Sequence, residues 1–439
     1  GQGQSPDCLA GRSAPSLRQQ GGRQTMADAR TDNAGPVGEA DRVTELDMLR
    51  GFALLGVLLV NIVGFASAGI MSTADQLAAL PTAHIDRVTE TLINWLLRDK
   101  ANTLFAILFG LGFYLQISRN GDRPGFAARF SRRLAWLLVF GIINVGFIWI
   151  WDILHLYALA GFVLLLVRNW STRALVIVGF ALAIVDVHWL EFINHQLGVT
   201  LESWPAYSDA AVLERQAVGQ AGDYWGLVVQ FWCFNLADWY YNWGIVAWGV
   251  YALGRFMLGA AIGRTGVLDN VAGLVPRLPR IALWTLLPGL SLALGMALVF
   301  SGYWVPFGEE SELYAGLFRP GVALLQAAGY ASLLVMGWHS ALGRRLLAGF
   351  VPVGQMALTN YLAQGLLYGF VLFGVGPGLA LAGHIGATAL VAASLAFFAG
   401  QMLFSRWWLA RYRYGPMEWL WRWLTYGGAR PVFRRARPA

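Results

Sequence analysis

An apolar run of bilayer length follows a pair of opposite charges in residues 45–62, ELDMLRGFALLGVLLVNI. Intervals of three and four place five of its side chains on one stripe of a helix: Asp47, Arg50, Leu54, Val57 and Asn61. Asn61 lies three turns beyond Arg50, about 16 Å farther along the helix axis. Because an unpaired amide is costly in hydrocarbon, we expect Asn61 to face a cavity, a substrate or a neighbouring helix.

Composition assigns the chain to the membrane proteins. Of its 439 residues, 57% are hydrophobic and 13% are charged. Several apolar runs reach the ~20 residues that a helix needs to cross a bilayer. The sequence therefore predicts an all-α fold, a polytopic integral membrane helical bundle. Two cysteines are too few for a disulfide framework, and a net charge of +7 in short loops is typical of membrane topology rather than of nucleic-acid binding.

Hydropathy predicts about ten membrane spans. They lie near residues 48–70, 102–118, 133–150, 153–168, 174–193, 239–263, 281–303, 320–338, 353–374 and 385–405. The second span could begin earlier, as an amphipathic helix from about Thr89. Segment 224–236 is short and aromatic, which favours a re-entrant or interfacial helix over a further span.

Charged residues alternate in sign between these spans. Basic clusters occur around residues 42–50, 119–133, 168–173, 264–280, 344–345 and 406–437, and the intervening loops are acidic. The positive-inside rule then places both termini and all basic loops in the cytoplasm, which requires an even number of spans.

The two ends of the chain are predicted to lie outside the membrane bundle. Residues 1–41 are rich in Gly, Ser, Gln and Arg, lack the apolar core of a signal peptide, and are expected to be a disordered extension. Residues 42–427 form the predicted transmembrane domain, and residues 428–439 form a basic tail.

The turn WIWDILHLYALAG carries a second polar site. Asp152 and His155 are three residues apart at the start of a helix, so their side chains can meet on one face. A carboxylate beside an imidazole can orient a general base and raise its pKa. The alternative is a helix cap next to a surface histidine. The predicted topology puts this pair on the extracytoplasmic side.

Amides in the ninth span form a third polar site. Asn360 and Gln364 lie four residues apart in PVGQMALTNYLAQGLLYGF and could line a polar cavity and bind a substrate. They could equally hold two helices together. In the sixth span, Arg255 is interpreted as a residue that extends to the cytoplasmic interface.

Two other features carry less information about function. The histidines are scattered without the spacing of metal ligands, so no metal site is predicted. The basic loop RNGDRPGFAARFSRR, which ends in Arg132 and Arg133, could contact lipid headgroups or the phosphates of a nucleotide-like donor. Ordinary positive-inside topology also explains this loop.

Several motifs resemble one known family. LDMLRGFALLGVLLVNI, KANTLFAILFGLGF, RRLAWLLVFGIIN, DILHLYALAG, GQMALTNYLAQ and FSRWWLARYRYGPMEWLWRWLTYG are similar to the YeiB-like family of bacterial inner-membrane proteins. The resemblance runs in order from about residue 42 to residue 427.

This resemblance implies a distant kinship with transmembrane acyltransferases, which include O-antigen acetyltransferases and the heparan glucosaminide acetyltransferase. Such enzymes move an acyl group from cytoplasmic acyl-CoA to a sugar on the far side of the membrane. The O-antigen branch has a catalytic histidine where this chain has Asn61, whereas the heparan branch has an asparagine there. A histidine that often precedes the DIL aspartate in YeiB-like proteins is Asn144 here, and Trp151 replaces the usual glycine.

Together these features predict an acyltransferase. Arg50, Arg132 and Arg133 would hold the donor phosphates of acyl-CoA, with Asp47 beside them. Asn61 would polarise the thioester carbonyl, and His155, oriented by Asp152, would deprotonate the acceptor.

The main alternative is a transporter or lipid-handling protein without covalent chemistry, and a third is an assembly subunit. The expected partners are membrane lipids, a glycan or lipid-linked acceptor and a second copy of the chain, but not nucleic acid. The expected location is the bacterial inner membrane.

Overall fold

Helix α1 spans Thr44–Ala66 and contains the whole stripe from Asp47 to Asn61. The structure is a computed structural model that describes residues 43–121, 124–198, 207–241, 243–375 and 378–427. The predicted extension and the basic tail lie outside these residues. The described part is all-α, with an isolated bridge between Ala68 and Ser72. The predicted fold class is thus confirmed.

Short breaks divide the described chain into many helices. In chain order, α2 to α10 are Ala74–Ala78, Ala83–Leu96, Lys100–Asn120, Phe126–Ile143, Leu154–Leu166, Thr172–Ala183, Val187–Gln196, Asp209–Gln220 and Tyr224–Asn235. Helices α11 to α19 are Gly244–Arg264, Val271–Leu274, Leu278–Phe300, Ser311–Trp338, Ala341–Leu347, Phe350–Gln355, Ala357–Tyr368, Ala387–Arg411 and Pro416–Tyr426. Three π-helical segments extend α5, α10 and α17: Asn144–Ile148, Leu236–Tyr241 and Gly369–Phe373. Such segments are rare in proteins overall, and those that do occur often lie at functional sites.

Seven helices of the described chain are long and apolar enough to cross a bilayer. They are Thr44–Ala66, Ala83–Arg119, Phe126–Ile148, Gly244–Arg264, Val271–Phe300, Gly308–Trp338 and Ala387–Arg411. The other three predicted spans correspond to shorter or bent helices: Leu154–Leu166, Ala357–Phe373, and a pair, Thr172–Ala183 and His188–Gln196, bent by 62°. The protein is therefore a multi-pass membrane protein, while the number of crossings and their orientation stay predictions.

Two helices begin at carboxylates supplied by distant parts of the chain. Met356 gives α17 no side-chain cap, but Glu418 of α19 accepts hydrogen bonds from the backbone N–H of Leu358 (2.7 Å) and Thr359 (3.1 Å). Asp86 of α3 accepts one from the N–H of Thr388 (2.8 Å) in the first turn of α18. A carboxylate at a helix N-terminus satisfies free N–H groups and suits the helix dipole, so these contacts hold α17 and α18 in position.

Glycines allow helices to approach closely at two contacts. A methyl group on Gly51 would overlap the backbone of Phe350, and one on Gly354 would overlap the carbonyl of Asp47. Helices α1 and α16 therefore pack backbone against backbone. Gly110 of α4 makes the same kind of contact with the carbonyl of Phe256 on α11. These glycine contacts fix α1 against α16 and α4 against α11.

Candidate functional site

A cavity of about 570 Å³ lies among the helices. Its wall is formed by α1, the junction of α3 and α4, the segment before α6, and helices α8, α11, α14 and α17. Aromatic side chains form much of the wall: Phe65, Trp151, Tyr207, Trp239, Trp248, Tyr251 and Tyr361. The wall also carries polar and charged side chains: Asn61, Arg98, Asp99, Asn102, Asp152, Asp186, His188, Glu191 and Arg319. A concave site with aromatic walls and a few convergent polar groups is typical of small-molecule binding.

Two of the predicted catalytic residues, Asn61 and Asp152, line this cavity together. Asn61 lies on α1, where the stripe that begins at Asp47 reaches the cavity, and the hydroxyl of Tyr368 on α17 is within hydrogen-bonding reach of its side chain. The same hydroxyl donates to the carbonyl of Leu58 (3.3 Å). Asn61 is only partly buried, so its amide can contact a bound molecule.

Asp152 is fully buried at the start of α6. Its carboxylate accepts hydrogen bonds from Asn144 Nδ2 (2.9 Å) and from the backbone N–H groups of Leu154 (2.8 Å) and His155 (3.3 Å). The Asp152 carboxylate therefore caps α6 and holds the side chain of Asn144, the first residue of the π-helical segment after α5. These contacts hold the Asp152 carboxylate at the cavity wall.

His155 is placed less favourably for catalysis than its sequence position predicts. Its Nδ1 lies 3.6 Å from Asp152 Oδ2, which is longer than a hydrogen bond, and this atom has no hydrogen-bond partner among the described residues. The ring is buried and packs edge-on against Trp239, with the centroids 5.3 Å apart. His155 is absent from the described residues that line the cavity.

A cluster of charged side chains lies in the cavity wall, and the sequence patterns above did not indicate it. Arg319 of α14 donates from Nε (3.0 Å) and Nη2 (2.7 Å) to Asp99 Oδ2. Its Nη1 lies 2.8 Å from His188 Nε2, and His188 Nδ1 lies 2.9 Å from Glu191 Oε2. Arg98 donates from Nη1 to Asn94 Oδ1 (2.9 Å). The cluster joins α3, α4, α8 and α14.

Local backbone geometry presents this cluster to the cavity. Asp99 separates α3 from α4 in a left-handed conformation, with φ of 65°, which aspartate tolerates better than most residues. Asp186 caps α8 by accepting from the N–H of His188 (3.0 Å), at the bend between α7 and α8. Charges inside otherwise apolar spans, at residues 98–100 and at Arg319, were the signal in the sequence that could have revealed the site.

A buried segment after α1 closes one side of this region. Arg215 of α9 donates from Nε (3.1 Å) and Nη2 (2.8 Å) to the carbonyl of Ile70, and Gln216 donates to that of Met71 (2.6 Å). Burial lowers the pKa of Arg215 to about 10, so the guanidinium stays charged at neutral pH. These bonds hold α9 against the end of α1.

The residues predicted to bind donor phosphates lie at the other end of α1. Arg50 donates to Asp47 (3.1 Å) and keeps 27% of its side-chain surface exposed. Arg132 donates to the carbonyl of Thr425 (3.3 Å), and the guanidinium of Arg133 lies 3.7 Å from the ring centre of Trp421 in α19. Between this end and the cavity, the Leu54 side chain is fully buried.

Asn360 and Gln364 connect two helices. Asn360 Nδ2 donates to Ser405 Oγ (3.0 Å) and to the carbonyl of Val353 (3.2 Å). Gln364 Nε2 donates to Gln401 Oε1 (3.1 Å), and Gln401 donates to the carbonyl of Asn360 (2.9 Å). Both amides are buried between α17 and α18, and neither belongs to the described cavity lining. This geometry corresponds to the interhelical alternative, and a role in substrate binding stays a prediction.

Arg255 does not extend to the membrane interface, so that interpretation was wrong. The side chain is fully buried and donates to Thr103 Oγ1 (2.9 Å) and to the carbonyls of Ala183 and Tyr251 (both 3.0 Å). Its guanidinium lies 3.3 Å from the ring centre of Tyr251, a cavity-lining residue. Close partners on α4, α7 and α11 retain the charge inside the bundle.

Among the described residues, no group of three or more His, Cys, Asp or Glu side chains is arranged to hold a metal ion. In the pair His188 and Glu191, one imidazole nitrogen of His188 contacts the Glu191 carboxylate and the other contacts the guanidinium of Arg319.

Comparison with known proteins identifies relatives along nearly the whole chain. Residues 262–428 match a family described as "Protein of unknown function (DUF418)". The chain is 31% identical over 413 residues to "Uncharacterized protein YeiB" of Escherichia coli (strain K12), which covers 90% of this chain and 99% of that protein. It is 28% identical over 419 residues to "Uncharacterized protein YxaH" of Bacillus subtilis (strain 168), with 90% and 97% covered. No solved structure matches the chain.

Proposed function

Since this chain belongs to the YeiB-like family, we propose its function from the cavity: a membrane-bound acyltransferase that moves an acyl group from cytoplasmic acyl-CoA to an extracytoplasmic acceptor such as a glycan. The observation that carries the proposal is that the Asn61 amide shares one cavity with a histidine–carboxylate pair, His188 and Glu191. The relatives come from bacteria, and we propose the bacterial inner membrane as the location.

The donor would bind at the end of α1 that carries Arg50. Its guanidinium is partly exposed, and its charge interacts with that of Arg133 on α5. Two arginines near each other can hold diphosphate and phosphate groups by charge-assisted hydrogen bonds. From this end, the acyl arm would pass along α1 to Asn61, which requires the buried side chain of Leu54 to move.

Acyl transfer would occur at the cavity. The acceptor hydroxyl oxygen attacks the thioester carbonyl carbon, a C–O bond forms, the C–S bond breaks, and the acceptor proton finally passes to the leaving sulfur. The Asn61 amide can donate a hydrogen bond to the oxygen on which negative charge develops. Aromatic side chains such as Trp151 and Trp248 offer flat apolar faces of the kind that pack against sugar rings.

The sequence-based choice of His155 as the base receives less support from the geometry. Its ring is buried against Trp239, and the Asp152 carboxylate is already engaged by Asn144 and by two backbone N–H groups. In this proposal, Asp152 positions α6 and Asn144 at the cavity wall, and His155 fills space behind that wall.

The test is acyl-CoA binding and acyl transfer by the purified protein. Calorimetry with acetyl-CoA should show micromolar binding that is lost in Arg50→Ala and kept in Arg87→Ala, which removes an exposed arginine of α3. In proteoliposomes, radiolabel from acetyl-CoA supplied on the Arg50 side should appear in glycolipids of a bacterial lipid extract. No binding by folded, monodisperse protein would overturn the proposal.

Solute transport is a second candidate function, favoured by the broken helices at the cavity. Helix α3 ends at Leu96 beside Asp99, α7 and α8 meet at a 62° bend, and α11 begins after Trp243, which has a φ of 58°. Discontinuous helices often form the binding sites of transporters. Flux of a glycan or amino-sugar solute in the absence of acyl-CoA would favour transport, whereas strictly donor-dependent labelling would exclude it.

A further inference from the structure

The histidine best placed to accept the acceptor's proton is not the one that the sequence pattern favours. We propose that His188, with Glu191 as its positioning residue, is the general base of the cavity. The inference rests on the proposed acyl transfer, and it concerns a residue whose sequence context suggested no role.

His188 is held in one orientation by its own helix. It lies in the first turn of α8, and its backbone N–H donates to the capping carboxylate of Asp186 (3.0 Å). One turn later, Glu191 Oε2 lies 2.9 Å from His188 Nδ1. An ionised carboxylate can only accept hydrogen bonds, so this contact places the ring proton on Nδ1.

A second contact, independent of the first, indicates the same tautomer. Arg319 Nη1 lies 2.8 Å from His188 Nε2, and a guanidinium has only N–H groups to offer. Nε2 must therefore carry the lone pair. Arg319 is itself fixed by two hydrogen bonds to Asp99 Oδ2. Partners on both sides thus leave His188 neutral, with the basic nitrogen pointing away from Glu191.

Position distinguishes His188 from the other histidines that contact acidic residues. His188 and Glu191 line the same cavity as Asn61, whereas His155 does not. His195 lies near Glu310 (3.6 Å), and His339 lies near Glu45 (3.3 Å), but neither belongs to the cavity lining. The His188 side chain is 17% exposed, enough for a bound molecule to reach its ring edge.

In the reaction, the acceptor hydroxyl replaces Arg319 as the hydrogen-bond partner of Nε2. Nε2 takes the hydroxyl proton as the oxygen attacks the thioester carbonyl, and the imidazolium returns this proton to the departing thiolate as the C–S bond breaks. Glu191 and Asp186 compensate the transient positive charge of the imidazolium. Arg319, kept by Asp99, remains beside the acceptor and can donate to its oxygen.

The decisive comparison is His188→Gln with His195→Gln. Glutamine keeps a hydrogen-bonding amide for Arg319 but cannot carry a proton, and His195 is a half-exposed histidine on the same helix outside the cavity. Acetyl transfer in proteoliposomes should fall by about 100-fold or more in His188→Gln and stay unchanged in His195→Gln. Acetyl-CoA binding by calorimetry should be equal in both variants and in wild type, which shows that both fold.

Glu191→Gln supplies a readout that a merely structural role would not alter. Removal of the carboxylate should lower kcat for acyl transfer while KM for acetyl-CoA stays unchanged, and Glu191→Asp, which keeps a carboxylate, should restore part of the rate. If wild type transfers acetyl groups and His188→Gln transfers them at the full rate, the inference is overturned. If acyl transfer is lost only in His155→Ala, the base is His155. Absence of transfer by wild type would refute the proposed function itself.

Discussion

Asp99 and Arg319 lie 220 positions apart, yet two nitrogens of the Arg319 guanidinium donate to one carboxylate oxygen of Asp99, at 2.7 and 3.0 Å. Both side chains belong to helices that are long and apolar enough to span a membrane. An isolated charge at that depth is costly, whereas a paired and hydrogen-bonded one is tolerated. The pair therefore stabilises the break between α3 and α4, where Arg98 and Asp99 line the cavity.

Replacement of Asn61 tests whether its amide takes part in acyl transfer. Asn61→Ala removes a donor to the developing oxyanion, and the rate should fall by about 100-fold or more. Acetyl-CoA binding should persist because Arg50 is unchanged. The assay is radiolabel transfer in proteoliposomes, with Asn194→Ala as control, since Asn194 is an amide on α8 outside the cavity lining. Equal rates for the two variants would exclude a catalytic role for Asn61.

Gly316 should affect catalysis through His188. A methyl group at Gly316 would lie 2.8 Å from His188 Cγ and 3.0 Å from Nδ1, so the ring would have to leave its present position. Gly316→Ala should reduce acyl transfer at least about tenfold, because small displacements of a catalytic group are costly. Gly321→Ala on the same helix, with no atoms within 4 Å of the added methyl, is the matched control. An active Gly316→Ala enzyme would contradict the position assigned to His188.

Arg255 should contribute to stability. Arg255→Gln shortens the side chain, leaves the carbonyl of Ala183 without this donor in the buried interior, and removes one of the two hydrogen-bond contacts of the Thr103 hydroxyl. The expected loss is about 2–4 kcal/mol, from buried groups that become unpaired. A lower thermal midpoint in detergent would report this loss, with Arg277→Gln as an exposed control. Identical midpoints would mean that water replaces the lost bonds.

Glu418 should make stability depend on pH. Burial raises the pKa of its carboxyl group above the usual 4.5, although hydrogen bonds from Thr359 and Leu358 oppose this shift. A carboxyl with a raised pKa in the folded state stabilises the fold below pH 4.5, and this contribution is lost as the pH rises through the raised value. Between pH 4.5 and neutrality, the thermal midpoint of wild type should therefore decline relative to that of Glu418→Gln.

The control for this prediction is Glu309→Gln, an exposed glutamate before α14. It should follow the wild-type curve at every pH. If Glu418→Gln declines in parallel with wild type, the pH dependence arises from other groups, and Glu418 acts on α17 only as a hydrogen-bond acceptor.

Sequence patterns located the helices well because hydropathy and length are local properties. Each of the ten predicted spans overlaps a helix, and the second helical span begins at Ala83, a few residues before the expected Thr89. Segment 224–236 is a helix, α10, continued by a π-helical segment. Helical spacing does not identify the partners of a polar side chain: the spacing of Asn360 and Gln364 fits a cavity and an interhelical contact equally, and their hydrogen bonds go to Ser405 and Gln401 of α18.

The sequence alone determined the membrane class, the all-α fold, the family resemblance and the stripe that brings Asn61 to the middle of α1, since these follow from composition, periodicity and motif order. Only the tertiary structure decided which polar groups share a cavity. Arg319 contacts Asp99 and His188, which lie 220 and 131 positions away in the sequence, and no local pattern predicts such pairings. The physical reason is that a buried charge needs a partner, whereas the residues next to it in the sequence do not determine where in the chain that partner lies.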